Sequence, residues 1–176
     1  MRPHPPGHLT EKDFANDRDK WSFLERAPEL DALDPRVREL ASHLWEAAGH
    51  QPRGFAALAQ SYCRDVIRYM TDTDQYGGED IAAAGRVGDV IESLVDDCDA
   101  KARLFVALCR AVRIEAHMVS HWTAAELSHV SAEVRIDGRE IPVELTLARA
   151  RLGENPKDIP KEVTGHWALN EARSIQ

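Results

Sequence analysis

The stretch that most limits what this chain can fold into runs from Asp96 to Arg113. It opens on Asp96, Asp97, Cys98 and Asp99, passes through six consecutive apolar residues from Leu104 to Cys109, and closes with apolar positions between arginines. Good helix formers throughout, with no Gly or Pro, predict a helix over about 98–113. A helix that is apolar nearly all round has to be buried, so this one belongs at the centre and other elements must be laid around it. Asp96 or Asp97 supplies the N-cap. Cys98 then falls in the first turn, where unpaired amides and the helix dipole favour a thiolate. The alternative reading is a small hydrophobe at the edge of the core.

The N-terminal side of that helix reads as helical. Residues 1–30 are rich in Pro and charge and read as an extension with one short helix near Trp21–Arg26. Asp34-Pro35 then offers an N-cap and a first-turn proline. Val37, Leu40, Ala41, Leu44, Trp45 and Ala48 follow at helical spacing up to Gly49. After Pro52-Arg53-Gly54 a second apolar stripe, Phe55, Leu58, Ala59, Tyr62, Val66, Ile67 and Met70, predicts a helix reaching Met70, with Cys63 in its core-facing side. Thr71–Gly85 reads as loop, and Val87–Leu94 as a short helix or turn.

Beyond Arg113 the period changes from helical to extended. Ile114–Ser120 predicts a strand, and His121–Leu127 is either a loop or one helical turn. Ser128–Ile136 and Arg139–Thr146 alternate on either side of Asp137-Gly138, which predicts a tight hairpin. Leu147–Gln176, with Gly153, Pro156 and Pro160, reads as a surface tail. The domain layout is therefore an extension (1–30), one domain (31–147) and a C-terminal tail (148–176).

Composition narrows the functional classes. With 176 residues, 43% hydrophobic and 30% charged, the chain is large enough for a real core and typical of soluble domains. No run has the length of a membrane span, and the N-terminus lacks an apolar signal region, so a cytoplasmic location is expected. A net charge of -8 argues against nucleic-acid or anionic-membrane binding. Three scattered cysteines do not make a disulfide framework.

With a two-residue loop at Asp137-Gly138, Ile136 faces Arg139, Ser131 faces Glu144 and His129 faces Thr146. The alternation puts Val130, Ala132, Val134, Ile136, Ile141, Val143 and Leu145 on one face, and His129, Ser131, Glu133, Pro142, Glu144 and Thr146 on the other. His129 and Glu144 become diagonal neighbours on the polar face. A helix-terminal thiol, a strand imidazole and a carboxylate on the next strand are the parts of a thiol acyl-transfer site: ionisable nucleophile, proton acceptor, and the group that fixes the imidazole's tautomer. Two features oppose that assembly. Asp96, Asp97 and Asp99 disfavour a thiolate at Cys98, and His129 points from the polar face while the central helix should cover the apolar one. A bulge or bend near His129, or a site at the sheet's edge, has to reconcile them.

Asp97-Cys98-Asp99-Ala100-Lys101-Ala102 followed by Leu108-Cys109-Arg110-Ala111-Val112-Arg113-Ile114-Glu115-Ala116 resembles the signature of the transglutaminase-like superfamily, a G-D-C-x-x-K-A opening that runs into a helix ending L-L-R-A-x-G-I-P-A. Ser128-His129-Val130-Ser131-Ala132-Glu133-Val134 is similar to its H-x-x-x-E-V strand. Ile141-Pro142-Val143-Glu144-Leu145-Thr146 is similar to its W-x-P-L-D-P-T strand. The three motifs occur in the family's order over about residues 55–147. The resemblance implies an α+β, papain-like fold, with N-terminal helices and a buried central helix bearing Cys98 packed on an antiparallel sheet. It implies Cys98 as nucleophile, His129 as base and Glu144 in place of the family's aspartate. Asp96 stands where the family has glycine, Glu140 where it has tryptophan, and Leu145 where it has proline. The segment Leu152-Gly153-Glu154-Asn155-Pro156 resembles compact members found in phage and prophage gene clusters.

Two functional readings follow. One is a cysteine-dependent enzyme acting on amide or peptide bonds through an acyl-thioester on Cys98, hydrolysis before amine cross-linking, with a protein or peptide-like substrate and the Cys98 backbone N–H as oxyanion donor. The other is a catalytically inactive structural or assembly protein on the same fold. No cofactor is expected. A zinc site from His117, His121, Cys98 and His129 is not expected, because no ligand spacing supports it. Tyr69, Tyr76 and Trp122 are candidates for substrate or oxyanion contacts, and Cys109 reads as core.

Overall fold

The central helix, α6 (Cys98–Ala111), is buried at every position from Asp99 to Cys109. In the computed structural model, which describes residues 14–71, 74–75, 87–123 and 126–154, the other elements are arranged around it. Before it come α1 (Asp17–Leu24), α2 (Ala27–Asp31), α3 (Pro35–Ala47), α4 (Pro52–Ser61), a π-helical turn (Tyr62–Val66), β1 (Arg68–Tyr69), α5 (Val87–Ser93) and β2 (Val95–Asp96). After it come β3 (Ala116–Thr123), β4 (Glu126–Ile136) and β5 (Arg139–Val143). One side of α6 lies on β3 and β4, while α2, α3, α4 and α5 cover the others. Leu104, Phe105 and Leu108 are fully buried, each contributing about 1.5–3 kcal/mol of apolar transfer. This is the α+β arrangement that the central helix required. Among the described residues no helix is long and apolar enough to cross a membrane.

The helix ends as predicted to within two residues, and its end has a cause. Arg113 takes φ +63°, its N–H reaches the Arg110 carbonyl at 3.0 Å, and the Ile114 N–H reaches back to the Cys109 carbonyl at 2.9 Å. That is a Schellman closure with arginine in the position glycine usually fills.

The β3-β4-β5 sheet is antiparallel. β4 and β5 pair in the expected register, Ile136 with Arg139 through Ala132 with Val143, around an Asp137-Gly138 turn in which both residues have positive φ. In the ambiguous segment at 121–127 the described residues are strand: β3 runs to Thr123 and β4 starts at Glu126. Their register shifts between His121 and Trp122, which pair with His129 and Leu127 respectively. The skipped residue, Ser128, is a bulge, and its hydroxyl donates to the His121 carbonyl at 2.8 Å.

Two expectations need correction. The second helix does not reach Met70: α4 stops at Ser61, and after the π-helical turn the chain extends at Ile67 into β1. β1 pairs in parallel with β2, Arg68 with Val95 and Tyr69 with Asp96. Helical periodicity in Ile67 and Met70 yields there to backbone pairing, the Arg68 N–H with the Leu94 carbonyl at 2.8 Å and the Met70 N–H with the Asp96 carbonyl at 3.2 Å. That pairing carries the chain directly into Cys98. Residues 17–31, read as part of an extension, form α1 and α2 with Leu24, Ala27 and Asp31 buried. Most of the loop expected at 71–85, and the tail from 155 onward, lie outside the described residues.

Candidate active site

Cys98 is the first residue of α6, behind Asp97, whose carboxylate caps the helix by accepting from the Asp99 N–H at 3.3 Å. Its thiol is half-buried, whereas Cys63 and Cys109 are buried. The first-turn amides have no acceptor within the helix, so this end presents partial positive charge to the sulfur.

His129 is buried and its Nε2 lies 2.9 Å from Glu144 Oε2. Cys98 is its second hydrogen-bond partner. With Nε2 committed to the carboxylate, Nδ1 is the nitrogen left for the sulfur. Burial works against a charge on this ring, but the Cys98 and Glu144 hydrogen bonds outweigh it and hold the imidazole protonated up to about pH 10. His129, Val130, Ser131 and Ala132 are all buried, so this end of β4 is covered on both faces.

Glu144 follows directly after β5, where the strand ladder stops. Its Oε1 accepts from the backbone N–H groups of Leu145 (2.9 Å), Thr146 (2.6 Å) and Leu147 (3.3 Å) and from the Thr146 hydroxyl (2.7 Å). Burial opposes its charge, yet His129 and the Thr146 donors bring the carboxyl down to about 2. Glu144 is entirely buried and anionic, and it fixes the tautomer and plane of His129.

The acidic neighbourhood of Cys98 is less negative than a count of aspartates suggests. Asp96 is buried; desolvation first and Asp99 second push it up to about 7, so near neutrality it is only partly ionised. Its Oδ1 accepts from the Asp97 N–H at 3.0 Å. Asp97 is occupied as the cap.

Two positions that sequence reasoning passed over support the strand end. Lys101 is fully buried and burial draws its ammonium down to about 8. Its Nζ donates to the carbonyls of Arg64 (3.3 Å) and Leu145 (3.5 Å) and sits 5.9 Å over the Tyr69 ring. Gln60 donates to the Glu144 carbonyl at 3.0 Å. The available signal was a lysine inside an otherwise apolar helix and a glutamine beside an apolar stripe, both of which need polar partners once buried.

Of the remaining candidates, Tyr69 packs on Lys101, and Trp122 is partly exposed with its indole N–H on Ser120 Oγ at 2.9 Å. Tyr76 lies outside the described residues. His121 stacks on His129. His117 stands apart from the thiol, 3.3 Å from Glu133. Among the described residues the potential metal-ligand group is His117, Glu133 and Glu140, with ligand atoms within 4.8 Å. It contains neither Cys98, His121 nor His129, and Arg135 already holds Glu140 at 2.6 Å.

A buried helix that begins on a cysteine, packed against an antiparallel sheet that brings a histidine to it, defines the papain-like class of fold. The family model of the transglutaminase-like superfamily matches residues 37–144, and the chain belongs to that superfamily. Two solved structures share the fold. A candidate protease from Parabacteroides distasonis superposes with a TM-score of 0.57 at 10% identity, over 82% of this chain and 31% of that one. A candidate cysteine protease from Cytophaga hutchinsonii gives 0.50 at 17% identity, over 80% of this chain and 45% of that one. The chain thus spans less than half the length of either. No curated protein sequence matches it.

Proposed function

We propose that the protein is a cysteine-dependent hydrolase of amide bonds in protein or peptide-like substrates. The observation that carries this reading is the His129 imidazole, buried and bonded at 2.9 Å to an anionic Glu144 with Cys98 as its other partner. In that environment the proton sits on the imidazole, and an imidazolium beside a sulfur favours the thiolate that the reaction needs. The thiolate attacks the amide carbonyl, and the backbone N–H of Cys98 at the tip of α6 stabilises the oxyanion. The Nδ1–H of His129 protonates the leaving amine as the C–N bond breaks, giving an acyl-thioester and a neutral imidazole. That imidazole takes a proton from water as it attacks the thioester, and the acid leaves with the thiolate–imidazolium pair restored. Water is the acyl acceptor in this scheme as the default nucleophile for a thioester.

Competitive alkylation tests the reading. Burial pushes the Cys63 thiol up to about 12 and Cys109 well above its ordinary value, so both should label slowly. Iodoacetamide at neutral pH should modify Cys98 first, and His129→Ala should slow that labelling by roughly 100-fold. Equal slow labelling of all three thiols would leave the inactive scaffold reading in its place.

A further inference from the structure

His121 approaches the site from β3. Its ring stacks on the His129 ring with centroids 5.4 Å apart and planes 27° from parallel. Its Nε2 is 2.8 Å from the hydroxyl of Ser131, which is itself buried. His121 and His129 are direct partners across β3 and β4, so the two side chains share one side of the sheet as cross-strand neighbours.

We propose that His121 is a positioning residue for the His129 imidazole. The inference rests on the reading of Cys98 and His129 given above. Glu144 fixes one edge of the His129 ring, which leaves rotation out of plane as the motion that would carry Nδ1 away from the sulfur. A second flat ring against its face, pinned through its own nitrogen to Ser131, restrains that rotation.

The test is Cys98 alkylation by iodoacetamide, followed by mass spectrometry from pH 5 to 8.5 in the full chain and in His121→Gln, His121→Phe and His121→Ala. Loss of the flat face in His121→Ala should lower the rate on the order of tenfold across the range, with Phe recovering more of that loss than Gln. Fast Cys98 labelling that needs His129 but is unchanged in His121→Ala, or is recovered as well by Gln as by Phe, overturns this inference alone. Labelling of Cys98 that is slow and indifferent to His129 overturns the cysteine reading and this inference with it.

Discussion

At the scale of the residue, Glu144 tolerates little change, because no part of it reaches water and its Oε1 already receives four donors. Glu144→Gln is the informative replacement. The amide oxygen can keep the donors from residues 145–147, but the amide N–H groups then face His129 Nε2 and disfavour a protonated ring. Cys98 alkylation at pH 7 should fall on the order of 100-fold, and the urea midpoint should fall as well, because the buried carboxylate–imidazolium pair is lost. Glu144→Ala would instead strand three backbone N–H groups, at a cost of about 1–3 kcal/mol each. The pair also sets a pH window for stability. His129 is raised from 6.5 to about 10, so its contribution is complete below about 6.5 and is lost as pH rises towards 10. Glu144 is lowered from 4.5 to about 2, so its contribution is complete above about 4.5 and is lost as pH falls towards 2. Both act fully only between those limits. Urea unfolding of wild type against His129→Gln should therefore show the largest difference near pH 5.5 and a shrinking one by pH 9.5. At this scale the sequence exposed Cys98, His129 and Glu144, since each is a chemically conspicuous residue at a definable register. Gln60, Lys101 and His121 were hidden because their roles come from burial and from the β3–β4 pairing, which no local pattern encodes.

At the scale of the element, the end of α6 carries a strain that one substitution relieves. Arg113 is exposed and left-handed, and a side chain there costs about 1 kcal/mol relative to glycine. Arg113→Gly should raise the unfolding free energy by about 0.5–1 kcal/mol, read as a higher thermal midpoint with unchanged Cys98 reactivity. The same comparison of local and long-range forces explains which elements were legible. The β4–β5 hairpin was, because Asp137-Gly138 fixes both turn and register. The body of α6 was, because six apolar residues leave no other burial pattern. β1 and β2, two residues each, were not: their pairing is a contact between segments that only the finished fold brings together, and it overrides helical spacing at Ile67 and Met70.

At the scale of the whole molecule, α1 and α2 precede the residues that the superfamily model matches, yet the centre depends on them. Arg103 of α6 and Asp31 of α2 are each about 6% exposed and form a bidentate pair, Nη2 to Oδ1 at 2.8 Å and Nε to Oδ2. The guanidinium lines a cavity beside α2 together with Asp31, whose carboxylate takes two of its N–H groups. Removing one member of such a pair costs about 3–5 kcal/mol, because the other charge stays buried, against a total of about 5–15 kcal/mol for a domain. Asp31→Ala should lower the urea midpoint accordingly at unchanged slope, and Arg103→Met should do nearly the same. The double replacement Asp31→Leu with Arg103→Met should recover most of the loss, since an apolar pair of similar volume needs no partner charge. A merely attached extension behaves differently: Asp31→Ala would then cost under about 1 kcal/mol, and protease trimming to residue 32 would leave the midpoint where it was.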